Sequence, residues 1–295
     1  MGVKGLLFLG LSLVLVIYGL TLVAGGFARP TWLQGAIGFV TAFFDTLGIG
    51  SFATTTSVYK LRSLVPVKLI PGTLNVGHAP ATITQAFIYT QIVPVESRTL
   101  VLMIVAACLG AWLGAGVVVH WPRRRIQIGM GLALLGAAAL FLMAQRDLFP
   151  PGGDTLGLSG TRLWLGLGGN FALGVLMMLG IGLYAPCMIL VSLLGMNPTA
   201  AFPIMMGSCA FLMPVSSIRF VRTRTYHVAG AWGLALGGFP AVLVAAYVVR
   251  SLPLTAVRWL VIVVVVYTAL NMLLTARSDV DQLSTLNGQR STPIC

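Results

Sequence analysis

Long apolar runs, separated by short basic, polar or Pro/Gly-containing gaps, fill this chain from one end to the other. The first is Leu6 to Ala24, and others lie near 99–119, 126–144, 228–249 and 255–275. Each reaches the 18 or so residues that a helix needs to cross a hydrocarbon core of roughly 30 Å. The pattern predicts an all-α polytopic membrane protein. Two further apolar stretches, 33–60 and 168–196, are interrupted by glycines: Leu47-Gly48-Ile49-Gly50 in one and Leu179-Gly180-Ile181-Gly182 in the other. Their flanks align at the same 132-residue offset, Phe39 on Phe171 and Ala53 on Ala185. Downstream, Gly77-His78 matches Gly207-Ser208, and the runs at 99–119 and 126–144 match those at 228–249 and 255–275. In so biased a sequence the order of segments carries more weight than a four-residue identity. Each half holds one Leu-Gly-Ile-Gly segment and three further hydrophobic segments.

Charge decides how the interrupted segments run. If each crosses once, nine basic residues (Lys4, Lys60, Arg62, Lys68, Arg123, Arg124, Arg125, Arg250, Arg258) face nine others, with no positive-inside bias. If each enters and leaves on one side, Arg29, Lys60, Arg62, Lys68, Arg123, Arg124, Arg125, Arg219, Arg222, Arg224, Arg277 and Arg290 share a side, and only Lys4, Arg98, Arg146, Arg162, Arg250 and Arg258 lie opposite. The second arrangement predicts two re-entrant or broken-helix hairpins, each followed by three transmembrane helices. Each half then crosses an odd number of times, so the two form inverted repeats. The segments are an N-terminal transmembrane helix over 1–32, a first repeat over 33–145, an extracytoplasmic connection over 146–163, a second repeat over 164–276 and a cytoplasmic polar tail over 277–295. Lys4 is the one basic residue whose placement opposes this topology. The first apolar run is long for a signal sequence and lacks a small-residue cleavage site before Arg29-Pro30, so it reads as a retained helix.

Composition agrees: hydrophobic residues make up 58% of the 295 positions and charged residues 8%, which leaves no room for a soluble catalytic domain. The net charge of +12 does not point to nucleic acid, because the 18 basic residues fall in short clusters between apolar runs. Cys108, Cys187, Cys209 and Cys295 lack the close spacing of a metal knuckle, and no cofactor motif is present. No Walker motif is present either.

A Gly-x-Gly inside an apolar segment frees backbone groups that lipid cannot satisfy, so such a break must face protein or a cavity. Close helix packing is the alternative explanation for each glycine pair. Around the first break lie Asp45, Thr46, Ser51, Thr54, Thr55, Thr56 and Ser57; the second offers Tyr184, Pro186, Cys187 and Ser192, and the following segments add Thr73, Asn75, His78 and Ser208. Hydroxyls and backbone N–H groups at half-helix N-termini suit an anion. The candidate substrate site is therefore Gly48, Gly50, Ser51, Thr54, Thr55, Asn75, His78, Gly180, Gly182, Tyr184, Cys187 and Ser208. Asp45 is the one acid placed deep in the membrane, which makes it the candidate for coupling to a proton or sodium ion. Its alternative role is to accept backbone hydrogen bonds at the break. His78 either relays protons or donates to an anion, or else braces a neighbouring helix through Pro80.

At these residues the chain resembles the sulfite exporter TauE/SafE family, also called the toluene sulfonate uptake permease family. The likeness rests on Leu47 to Gly50 and Leu179 to Gly182 and spans about residues 33 to 275; Ser51 and Leu183 stand where a further glycine is usual. The resemblance implies a multi-pass protein of a bacterial-type plasma membrane that transports sulfite, a sulfonate or a related small sulfur-containing or organic anion. The expected function is a secondary permease whose partners are that anion, the bilayer and a coupling ion. An anion channel and an intramembrane sulfur-handling enzyme built on Cys187, Cys209 or His78 are the alternatives.

Overall fold

The computed structural model describes residues 3–47, 50–148, 152–180, 182–248 and, further on, 266, 267, 269, 270, 273 and 274. Gly48, Ile49 and Ile181 of the glycine motifs lie outside the described residues, as do most of the second half's last apolar run and the tail over 277–295. Among the described residues the fold is helical, with no strand beyond an isolated bridge between Thr155 and Met196. Over residues 3–248 the described α-helices follow one another as α1 (Val3–Ala24), α2 (Trp32–Thr46), α3 (Ser51–Leu61), α4 (Ile70–Ile92), α5 (Ser97–Val118), α6 (Arg123–Gln145), α7 (Gly160–Met177), α8 (Tyr184–Leu193), α9 (Ala201–Arg222) and α10 (Val228–Val248). The connection expected over 146–163 ends sooner, because α7 starts at Gly160.

Four stretches are long and apolar enough to cross a membrane by length and composition: Gly5–Ala24, Ser97–Val118, Pro198–Arg222 and Val228–Ala246. α4 is 23 residues long but carries Thr73, Asn75, His78, Thr82, Gln85 and Thr90, all buried, so its polarity is turned toward protein. The α2 and α3 segments, of 15 and 11 residues, span only about 22 and 16 Å at 1.5 Å per residue, short of a hydrocarbon core.

Contacts at the helix ends fix how these short segments run. The Tyr59 hydroxyl, near the end of α3, donates to the Gly230 carbonyl at the start of α10 (3.2 Å). The indole N–H of Trp232 donates to Gly26, in the short link between α1 and α2 (3.0 Å), and the His227 amide donates to Thr73 at the start of α4 (2.9 Å). The start of α2, the end of α3 and the starts of α4 and α10 therefore share one end of the bundle. At the other end the Glu96 amide, before α5, donates to Leu156 (2.8 Å), and Thr155, before α7, donates to Gly195, after α8 (2.9 Å). The α2–α3 hairpin thus enters from one end and the α7–α8 hairpin from the opposite end.

Each hairpin docks through its first helix against a long one: α2 on α10, and α7 on α5. Both contacts depend on backbone-level approach. A Cβ on Gly237 would lie 2.0 Å from the Gly35 carbonyl oxygen, and one on Gly110 would lie 2.0 Å from that of Phe171. α4 and α9 pack on each other at the centre. The start of α2 is set by a capping box in which Thr31 accepts from the Gln34 amide (3.3 Å) and the Gln34 side chain accepts from the Thr31 amide (3.0 Å).

Pro80 lies inside α4 and has no N–H, which deprives the Val76 carbonyl of its helical donor. The buried hydroxyl of Tyr18, from α1, donates to that carbonyl and so fixes α1 to the core. Tyr18→Phe is expected to leave the carbonyl unpaired and to destabilise the protein by about 1–3 kcal/mol. A thermal melt in detergent reads this as a drop of several degrees, and an unchanged midpoint would remove Tyr18 from the account.

Candidate functional site

The first break leaves carbonyls at the end of α2 and amides at the start of α3 without helical partners. Local side chains meet both needs. The Thr46 carbonyl accepts from the Tyr89 hydroxyl (2.8 Å), and the Ser51 amide donates to Asp45 Oδ1 (2.6 Å). The second carboxylate oxygen accepts from Gln85 Nε2 (3.0 Å), which also reaches the Thr46 hydroxyl (3.0 Å). Gln85 then accepts, through Oε1, from the hydroxyl of Tyr184 at the start of α8 (2.6 Å). A side-chain chain therefore runs from Asp45 through Gln85 of α4 to the opposite hairpin, and all three residues are buried.

The second break is built differently. The amides of Met178, Leu179 and Gly180 donate three residues back, to Val175, Leu176 and Met177, in a tightened turn that Gly180 ends at φ +91°. Such a backbone angle suits glycine, which has no Cβ to clash. α8 starts after Leu183 with no side chain capping it. Its N-terminal amides thus lack the carboxylate that the start of α3 possesses.

Between the breaks lies a cavity of about 10 Å³, room for a single water-sized body. Among the described residues, ten line it: Asp45, Gly50, Ser51, Phe52, Thr82, Met177, Gly182, Leu183, Tyr184 and Cys209. Eight of them form pairs separated by 132 residues: Asp45 with Met177, Gly50 with Gly182, Ser51 with Leu183, and Phe52 with Tyr184. The two hairpins present equivalent positions to one space.

Of the residues singled out from sequence, Gly50, Ser51, Gly182, Tyr184 and Asp45 line this cavity, while Gly48 lies outside the described residues. The others do not line it. Thr54 bonds back to the Ser51 carbonyl of its own helix (2.9 Å). Thr55 and His78 Nε2 hydrogen-bond each other (3.0 Å) behind Phe52, whose ring lies 6.0 Å from the imidazole. Asn75 donates to the Pro71 carbonyl (2.9 Å) and accepts from Ser216 (3.4 Å), which ties α4 to α9 nearer one end. Ser208 accepts from Asn170 of α7 (3.1 Å), Cys187 is buried in α8, and Gly180 turns the chain beside Met130 and Thr56. The Cys209 thiol donates to the Met177 sulfur (3.8 Å). Several buried polar atoms close to the breaks have no hydrogen-bond partner, among them Thr56 Oγ1 and His78 Nδ1. Among the described residues no group of three His, Cys, Asp or Glu side chains is placed to hold a metal ion.

Sequence reasoning passed over Gln85, Thr82, Tyr89 and Asn170. The signal for the first three is the polar stripe His78, Thr82, Gln85, Tyr89 on one face of α4, at the i, i+4, i+7, i+11 spacing of a helix.

Fold and site together define a helical membrane protein with a small central cavity, lined by Asp45, Ser51 and Tyr184 among apolar residues, where two broken helices meet. No family model matches the chain, and neither a curated protein nor a solved structure does.

If Gln85 joins the two hairpins, Gln85→Leu and Tyr184→Phe should not be additive. A double-mutant cycle on thermal stability is expected to give a coupling of roughly 1 kcal/mol, since the two share one buried hydrogen bond. Additive losses would show that the two residues act separately.

Proposed function

We propose that the chain is a secondary transporter for a small anion, with Asp45 as the proton-coupling group. The observation that carries this reading is the shared cavity, where the start of α3 already holds a carboxylate and the start of α8 holds none. Helix N-termini favour negative charge. While Asp45 is ionised, it neutralises the positive end of α3 and repels a second anion from the same small space. Once it is protonated, the charge is gone and the anion is attracted to both helix starts. Proton and anion therefore bind together and leave together, and anion binding tightens as pH falls.

The 132-residue pairing of the lining positions and the arrival of the hairpins from opposite ends support an inverted-repeat architecture. In such carriers one half rocks against the other around a fixed site. Arg29, Lys60, Arg62, Lys68, Arg124, Arg125, Arg222 and Arg224 all belong to the end from which α2–α3 enters, and that end is proposed to face the cytoplasm of a bacterial-type plasma membrane. A centre with room for one water-sized body favours a carrier that must move to open over a standing pore. For enzyme chemistry the site offers less support: His78 Nε2 is engaged by Thr55 and the Cys209 thiol by a thioether. The resemblance to the sulfite exporter family narrows the proposed cargo to sulfite, a sulfonate or a related organic anion. A thermal-shift panel of sulfite, sulfate, thiosulfate, sulfonates and small carboxylates on purified protein identifies it.

Asp45→Asn mimics the protonated side chain. The variant is expected to bind the anion with no dependence on pH, and to lose pH-gradient-driven accumulation in proteoliposomes. If it accumulates substrate as the wild type does, Asp45 serves only to cap α3 and the coupling role is wrong.

A further inference from the structure

Away from the central cavity, α1, α5 and α9 enclose a groove of about 330 Å³ on the outer face of the bundle. Its walls are entirely apolar and include Leu7, Val105, Leu109, Trp112, Phe211 and Val215. Val105 and Leu109 are well exposed, so the groove opens outward rather than into the core. One edge carries a charge. The guanidinium of Arg219, one turn before the end of α9, lies 4.0 Å from the centre of the Trp112 ring and reaches the backbone of α5 at Gly116.

We infer that this groove holds an acyl chain of an anionic diacyl phospholipid whose headgroup phosphate sits on Arg219. An apolar trough that meets a cation at the level of the helix ends matches the two parts of such a lipid, tail and headgroup. Charge favours the anionic species over a zwitterionic one. Arg219 belongs to the end of the bundle that also carries Arg29, Lys68, Arg124, Arg125, Arg222 and Arg224. Among the described residues the acids other than Asp45, namely Glu96, Asp147 and Asp154, all lie at the opposite end. No carboxylate of that set is placed to neutralise Arg219, whose described partner is the face of an indole. The cation–π contact keeps the guanidinium at the edge of the groove, and no described residue accepts a hydrogen bond from its N–H groups, which suits donation to a phosphate.

The test uses the full chain in phosphatidylcholine nanodiscs containing increasing amounts of acyl-brominated phosphatidylglycerol or acyl-brominated phosphatidylcholine. The difference in tryptophan quenching between wild type and Trp112→Phe isolates the signal of Trp112. The wild type is expected to reach half-quenching at a roughly fivefold lower fraction of the anionic lipid, the preference that one basic residue near the surface supplies. Arg219→Gln should make the two lipids equivalent, whereas Arg62→Gln, at the same end but just after α3, should leave the preference intact. Equal quenching of wild-type Trp112 by both lipids overturns the inference without recourse to any Arg219 variant. So does a loss of preference in Arg62→Gln as large as in Arg219→Gln, which would mark a general surface potential. Shielding of Trp112 from both lipids, with disulfide-linked dimers forming through the neighbouring Cys108, would assign the groove to a second copy of this chain instead.

Discussion

A backbone amide or carbonyl that loses its helical partner inside hydrocarbon must find another within the protein, at a cost of several kcal/mol otherwise. Two such losses, at the ends of α2 and α3 and at the ends of α7 and α8, govern the arrangement of the rest. The first helix of each broken segment is placed against a long helix, α2 on α10 and α7 on α5, and glycines at the contacts let the backbones approach closely. At the first break the freed groups are then served by side chains of the same hairpin or of α4, Asp45 for an amide and Tyr89 for a carbonyl, while Gln85 joins Asp45 to Tyr184 of the opposite hairpin. Tyr18 does the same for the carbonyl freed by Pro80. Asp45, Tyr89 and Tyr18 are thus polar side chains that serve places where regular backbone hydrogen bonding stops.

The two breaks are equivalent in position and unequal in chemistry. Asp45 is matched by Met177, and Ser51 by Leu183, so one half supplies a charge and hydrogen bonds while the other supplies a thioether and an aliphatic wall. A space of about 10 Å³ must widen before it can admit an anion, and while Asp45 is ionised its charge opposes an anion there even then. That exclusion is the physical basis for tying a proton to an anion in the proposed cycle. The lipid groove lies on a different face and depends on neither break.

Much of this was legible in the sequence, for reasons that also explain what was not. The glycine pairs could be found because few other signals interrupt an apolar run, and Asp45 stood out because no other acid lay so deep. Charge counting favoured hairpins over single crossings; the contacts at Tyr59 and Thr155 put the end of α3 beside the start of α10, and the end of α8 beside the start of α7. Depth and rotation were harder. Asn75 shares a face of α4 with Thr82 but sits seven residues, about 10 Å, nearer one end, so its amide serves Pro71 and Ser216 rather than the cavity. Ser208 and Cys209 are neighbours separated by one helical step of rotation, and it is the cysteine that meets the cavity while the serine meets Asn170. Gln85 was missed because an uncharged amide inside an already polar helix carries no compositional flag; only its partners, Asp45 and Tyr184, reveal its place.

Hairpins that enter from opposite ends and meet at the centre must carry their outer tips on opposite sides of the bundle. Leu61 closes α3 and Leu193 closes α8, and both are exposed. Leu61→Cys and Leu193→Cys, placed singly in a cysteine-free background and reconstituted in one orientation, should each react with a membrane-impermeant maleimide from one face only, and from opposite faces. Labelling of both from the same face would contradict the account.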